Sequence, residues 1–185
     1  MLWLILGVIL WVDGHLWRRV FPGLSERLGK MAYPASAITI IVSVVLMVIG
    51  YRSASFIPVW STPEFFTHIN NLLVLFAFYV YLMTATKPGT AFVMGNVKNP
   101  QLTGFKIWAL AHLLVNGDLA SIILFGGLLA WAVIEVIVIK RYGEKFDRSK
   151  AKITSPLVHL GLVAVVFTIV AAVHVWLGVN PFGGA

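Results

Sequence analysis

The sequence of 185 residues contains no cysteine and few charged residues. Without cysteine there are no disulfides, no thiolate metal sites and no cysteine nucleophiles. The five histidines are therefore the main candidates for metal ligands. Charged residues make up 11% of the chain and hydrophobic residues 59%, whereas an ordinary soluble domain is about 25% charged. A soluble fold of this size could not cover so much apolar surface, so the composition predicts a protein of the lipid bilayer.

Six segments are apolar enough to be predicted as membrane-crossing helices. They are Leu2–Val20, Ala35–Tyr51, Phe65–Thr86, Pro100–Val115, Leu119–Ile139 and Pro156–Leu177. Proline, glycine and asparagine separate them, as expected for turns. We therefore predict an all-α polytopic integral membrane bundle of about six transmembrane helices, with one domain over residues 1–185.

Acidic residues are scarce as well. The chain has seven of them and fourteen basic residues, so its net charge is +7. Thirteen of the fourteen basic residues fall in or beside the three loops on one side of such a bundle. These loops follow the first, third and fifth predicted helices and hold Arg18, Arg19, Arg27 and Lys30; Lys87, Lys98 and Lys106; and Lys140, Arg141, Lys145, Arg148, Lys150 and Lys152. The positive-inside rule puts these loops in the cytoplasm and both termini on the periplasmic side. The charge thus indicates topology and not a nucleic-acid partner, and the loop from Lys140 to Lys152 is expected to meet anionic lipid headgroups.

Ionisable residues inside the predicted spans are costly and are therefore candidate functional residues. Two of them end a repeated pattern of glycine, tryptophan and histidine spaced four residues apart. The pattern occurs as Gly7, Trp11 and His15 and again as Gly104, Trp108 and His112. Because residues four apart share a helix face, each helix presents a small residue, a flat apolar wall and an imidazole, a surface that suits a flat tetrapyrrole. A third stripe, Gly127, Trp131 and Glu135, ends in a carboxylate that could orient a ligand histidine.

The other polar residues in the spans have simpler explanations. His68 is near the start of the third predicted helix, beside Asn70 and Asn71, where a polar cap or an interhelical hydrogen bond would explain it. His159 and His174 are near the ends of the sixth, where interfacial water can satisfy them. Asp13 and His15 are two residues apart and point to different faces, so they make a poor catalytic dyad. Hydrolase, nucleotide-binding and zinc-peptidase motifs do not occur.

Several stretches together resemble the NnrU family over nearly the whole chain. They are Asn99–Gly104, Trp108–Asp118, Ser121 with Phe125-Gly126-Gly127, His15 with Arg18 and Arg19, and His68–Leu73. The family consists of multi-helix membrane proteins. Its bacterial members take their name from nitrite and nitric oxide reduction, and its plant relatives are 15-cis-ζ-carotene isomerases that carry haem b. Where the family usually has Arg-His-Pro, this chain has Lys98-Asn99-Pro100, so no role of that histidine carries over.

The resemblance implies a haem-b-binding protein of the bacterial inner membrane with His15 and His112 as axial ligands. Those two positions match the isomerase ligands, and His68 is the runner-up. The same resemblance, with the stripes, places Trp11, Trp108, Gly104 and Glu135 beside the cofactor. The implied chemistry is redox-dependent ligand exchange at bis-histidine haem iron, in nitrogen-oxide or redox metabolism or in the cis–trans isomerisation of an apolar polyene.

Whether the chain is an enzyme stays open at this point, because the resemblance fits both a haem-dependent isomerase and a redox protein. The alternative is a non-enzymatic accessory or assembly factor for a respiratory nitrite or nitric oxide reductase. Its contact surfaces would be the basic loops and the Asn116-Gly117-Asp118 turn. A small-molecule carrier is a third hypothesis, disfavoured by the few buried charges. The expected partners are the lipid bilayer, an apolar polyene or diatomic ligand, and a reductase.

Overall fold

The computed structural model describes residues 1–93, 97–143 and 146–183. Within these ranges the regular structure is helical, and pairing of extended backbone is limited to two isolated bridges. The helices are α1 Leu2–Val20, α2 Pro22–Leu28, α3 Ala32–Arg52, α4 Phe66–Leu82, α5 Pro100–Val115, α6 Leu119–Ser121, α7 Gly127–Arg141 and α8 Pro156–Trp176. The prediction of an all-α membrane protein is confirmed. Lys145, one of the predicted loop cations, lies outside the described residues.

Two features of the helices differ from the sequence prediction. Pro22 begins the short helix α2, although the sequence favours a turn there. Proline suits the first turn of a helix because its missing N–H would have no acceptor in that position. In addition, the fifth predicted helix is not uniform, because a π-helical segment, Ile122–Gly126, separates α6 from α7.

Four helical segments in the described ranges are long and apolar enough to cross a membrane. They are Pro22–Arg52, Phe66–Ala85, Leu119–Arg141 and Pro156–Trp176. Helix α1 is not among them because Asp13, Arg18 and Arg19 interrupt its apolar sequence, and α5 has only 16 residues. The four segments are compatible with a multi-pass membrane protein. The total of about six spans, the periplasmic termini and the choice of the inner membrane stay predictions.

The chain divides into two compact units, each built from segments distant in sequence. The first unit consists of Met1–Trp60 and Asn116–Glu144, and the second of Ser61–Val115 and Lys145–Ala185. Helices α1, α2, α3, α6 and α7 thus belong to the first unit, and α4, α5 and α8 to the second. A single domain over residues 1–185 stays a prediction.

In the first unit, small residues bring the backbones of α1 and α3 together. Ser36, Ser43 and Gly50 recur every seven residues on α3 and are buried. A Cβ atom added to Gly50 would lie 2.2 Å from the backbone nitrogen of Leu4. One added to Gly7 would lie 2.7 Å from that of Met47. Lipid tails are as apolar as the helices, so close van der Waals contact of this kind is what holds membrane helices together.

The Asn116-Gly117-Asp118 turn is bonded to the segment that ends at Trp60 in the same unit. The carbonyl of Gly117 accepts hydrogen bonds from the backbone nitrogens of Val59, at 2.8 Å, and Trp60, at 3.0 Å. A Cβ on Gly117 would lie 2.1 Å from the carbonyl oxygen of Trp60. Asp118 caps the next helix by accepting a hydrogen bond from the backbone nitrogen of Ser121 at 3.0 Å. These contacts account for the glycine and the aspartate of the turn.

The second unit packs α4 against both α5 and α8. Its core contains Tyr79, Val80, Met83 and Val163. A Cβ added to Gly104 of α5 would lie 2.6 Å from the carbonyl oxygen of Ala77, so this glycine permits close approach of α5 to α4. The loop before α8 is bonded to the 3₁₀ turn Met83–Ala85 that follows α4, where the backbone nitrogen of Ile153 donates to the carbonyl of Ala85 at 3.0 Å.

Candidate functional site

The first unit brings two of the three glycine–tryptophan stripes together. Trp131 of α7 contacts both His15 and Trp11 of α1, with ring centroids 4.6 and 5.2 Å apart. The rings of Trp11 and His15 are themselves 4.3 Å apart. The imidazole is therefore in contact with two indoles. We call Trp11, His15 and Trp131 the indole–imidazole cluster.

The ring of His15 has a defined tautomer. Its Nδ1 lies 2.8 Å from the carbonyl oxygen of Trp11, one turn earlier in the same helix. Because a carbonyl oxygen only accepts hydrogen bonds, Nδ1 is the donor. In the neutral ring the lone pair then belongs to Nε2, which is the arrangement of a metal-ligating histidine whose other nitrogen is held by a backbone carbonyl. The side chain is half-buried.

Glu135, the end of the third stripe, binds Arg19. The Nη1 atom of Arg19 donates to Oε1 of Glu135 at 2.6 Å, and Glu135 is 5% exposed. The same Nη1 lies 3.4 Å from the carbonyl oxygen of His15. Orientation of a ligand histidine by Glu135 stays a prediction. The sequence analysis assigns Arg19 to topology and to the family resemblance but not to the site, although its spacing of four from His15 was a signal that both share a face.

The second unit repeats the local arrangement around His112. Nδ1 of His112 lies 3.0 Å from the carbonyl oxygen of Trp108, and the two rings are 4.8 Å apart. The Nδ1–H tautomer follows for the same reason as at His15. Gly104 begins this stripe but packs against α4, so its lack of a side chain is explained without a cofactor. The pairing of His15 and His112 at one iron stays a prediction.

The remaining candidate ligand, His68, is exposed in the first turn of α4. Its neighbour Asn71 donates to the carbonyl oxygen of Pro181 at 2.8 Å, and Asn70 donates to Asn71 at 3.3 Å. The asparagines thus act as polar contacts at this end of the second unit. That His68 is an alternative iron ligand stays a prediction.

His159 is not at a hydrated helix end, as the sequence suggests, but fully buried in the second unit. Its Nδ1 lies 2.8 Å from the hydroxyl of Thr86, which itself lies 3.1 Å from the carbonyl oxygen of Leu82. Since the hydroxyl donates to the carbonyl, it accepts from Nδ1. The rings of His159 and Tyr79 are in T-shaped contact, with their centroids 4.7 Å apart. The expectation of interfacial water was wrong because Tyr79 of α4 and Thr86, which follows the helix, contact the imidazole.

Replacing Thr86 by valine is expected to lower the free energy of unfolding by about 1–3 kcal/mol, because the buried Nδ1–H loses its acceptor. Thr84 provides the matched control, since its hydroxyl bonds only the carbonyl of Tyr81 and is exposed. Thr84→Val should change the stability by less than about 0.5 kcal/mol. Reversible unfolding in mixed detergent micelles measures both, and equal effects would show that the Thr86–His159 bond does not stabilise the fold.

Long apolar helices, close backbone packing through small residues, and histidines set against tryptophans define an all-helical membrane protein. The chain belongs to the NnrU family, because the family profile described as NnrU protein matches residues 3–181. Comparisons with curated proteins and with solved structures found no match.

Proposed function

We propose that this protein binds haem b in the membrane and that His15 and His112 provide imidazole ligands. The indole–imidazole cluster is the observation that carries the proposal. The Trp11 carbonyl holds Nδ1 of His15, so Nε2 bears the lone pair that iron requires. Trp11 and Trp131 supply flat apolar surface beside it. The equivalent bond at His112 supports the second ligand, and the resemblance to haem-carrying isomerases favours haem over a bare metal ion.

The chain's own residues would orient the ligands and keep the site apolar. Each imidazole is fixed to a carbonyl of its own helix, which limits rotation of the ring without help from other elements. The charge of Arg19 is balanced by Glu135, so this pair adds no net charge near His15. When bound, haem would supply a redox-active iron able to exchange an axial ligand, for nitrogen-oxide or redox metabolism or for isomerisation of an apolar polyene.

The absorption spectrum of the purified protein, oxidised and reduced after reconstitution with haem, tests this proposal. The wild-type protein should show a Soret band. His15→Ala and His112→Ala should each weaken haem binding about tenfold or more, because an axial bond is lost. A spectrum without a Soret band after reconstitution would rule out haem binding.

His174→Ala is the matched control for both variants. His174 is also half-buried, and its Nδ1 lies 2.8 Å from the carbonyl oxygen of Val170, so it has the same local bond without being a proposed ligand. This variant should retain the wild-type spectrum. If all three variants change the spectrum equally, the assignment of the ligands is wrong.

A further inference from the structure

Helix α1 carries an exposed carboxylate, Asp13, on a face that is otherwise apolar. This face forms a shallow groove lined by Asp13 together with Ile9, Val12, Leu16, Trp17, Val20 and Phe21. Leu16 and Trp17 are buried at its floor, and Ile9, Asp13, Val20 and Phe21 are exposed. From Ile9 to Val20 the lining residues are spaced alternately three residues and one residue apart along the sequence. That spacing describes one face of a helix over about three turns and is the pattern by which helices pack side by side. We call it the Asp13 face.

Asp13 lies at a level where the neighbouring helix exposes only apolar side chains. The adjacent Gly14 packs on Ile40 of α3, where an added Cβ would lie 2.9 Å from the Cγ1 atom. At the same level Ile38 and Ile41 are 61% and 63% exposed. Helix α3 belongs to a segment able to cross a membrane. In the predicted topology Arg18 marks the cytoplasmic end of α1. Asp13 precedes it by five residues, roughly 8 Å along the helix, which puts the carboxylate on the hydrocarbon side of that boundary.

The described residues supply no cation to this carboxylate. The ion pair found among them joins Arg19 to Glu135. The guanidinium of Arg18 lies over the ring of Tyr33, 3.9 Å from its centroid. A charged side chain at membrane depth is normally paired or faces protein. Because this carboxylate lies in an apolar stripe of the kind by which helices pack, we expect the helix that packs there to carry a basic side chain at the same depth.

We propose that the Asp13 face docks a transmembrane helix of a partner protein, and that this helix carries a lysine or arginine opposite Asp13. The length of the stripe fits a helix better than a small ligand. A second copy of this chain fits less well, because two-fold pairing of the same face would bring Asp13 close to its own equivalent, and like charges repel. The inference goes beyond haem binding and does not depend on it.

A designed membrane helix tests the proposal directly. The full-length protein and a dye-labelled leucine–alanine helix with one lysine at the depth of Asp13 are placed in phosphatidylcholine vesicles, and association is measured by energy transfer. The wild-type protein should bind this helix about tenfold more strongly than a matched helix with leucine in place of lysine. Asp13→Leu should abolish the difference. The charge reversal Asp13→Lys should transfer the preference to a helix with glutamate, which also shows that the variants are folded.

The double variant Asp13→Leu/Ile41→Asp is the matched control, because it moves the carboxylate to an exposed position of α3 at a similar depth. It should not recover the tenfold preference. Equal binding of the lysine and leucine helices by the wild-type protein overturns the proposal. Full recovery in the double variant overturns it too, since any exposed carboxylate would then suffice. Energy transfer between labelled copies of the chain that depends on Asp13 would make the occupant a second copy and reject a partner helix.

Discussion

Gly50→Ala is expected to lower the free energy of unfolding of the first unit by about 3 kcal/mol. The added Cβ would lie 2.2 Å from the backbone nitrogen of Leu4 and 2.6 Å from its Cα atom. Backbone atoms cannot rotate out of the way as a flexible side chain can, so α1 would have to move away from α3 along its length. The close contacts that hold the two helices together would then be lost. Reversible unfolding in mixed detergent micelles measures the loss.

Gly23→Ala is the control for this substitution. An added Cβ at Gly23 meets nothing within 4 Å, and the residue lies in helix α2. Since alanine favours helix by about 1 kcal/mol over glycine, this variant should be unchanged or slightly more stable. If Gly50→Ala proved no more destabilising than Gly23→Ala, the close packing of α1 on α3 would be refuted.

Glu135→Leu is expected to cost about 2–3 kcal/mol, because Arg19 loses its carboxylate in a largely apolar environment. The estimate is below that for a fully buried pair since the Arg19 side chain is 26% exposed. Arg19→Leu should be destabilising for the reciprocal reason. The double variant Arg19→Leu/Glu135→Leu should recover most of the stability, because no unpaired charge remains.

A double-mutant cycle in the same unfolding assay separates the pair energy from the loss of each side chain. The coupling should favour the native pair by about 1 kcal/mol or more. Additive effects would mean that the 2.6 Å contact contributes nothing to stability. The cycle requires no haem, so it tests the packing of α1 on α7 separately from the cofactor proposal.

The haem proposal and the docking proposal concern different faces of α1. Asp13 and His15 are two residues apart and therefore about 200° apart around the helix axis. His15 contacts Trp131 of α7, whereas Asp13 lies in the exposed groove. A partner helix on the Asp13 face would not displace the tryptophans from the imidazole. A haem protein and an accessory protein are therefore compatible descriptions of the same chain.

Local sequence signals predicted the helices well where their ends are chemically marked. Helix α5 runs from Pro100 to Val115 as predicted, because proline favours the first turn and Asn116-Gly117 ends it. The contact of Trp11 with His15 also follows from their spacing of four within one helix. The interpretation of Pro22 as a breaker failed because the same preference of proline for a first turn begins a helix there.

These local signals could not predict contacts between different helices. Arg19 and Glu135 are 116 residues apart, and Thr86 and His159 are 73 apart. The membrane helices are apolar on nearly every side, because lipid and the protein interior both accept apolar residues. Their pattern therefore does not tell which face packs inward. Only small residues mark the packed face, as Gly7 and Gly50 do.

By itself the sequence determined the helical membrane class, the NnrU family and the arrangement of side chains within each helix, because composition and a period of 3.6 residues are local properties. The tertiary structure alone decided that Trp131 meets His15, that Arg19 neutralises Glu135 and that His159 is buried. Those outcomes depend on the register and rotation of helices against one another, which close backbone contacts select and apolar patterning does not.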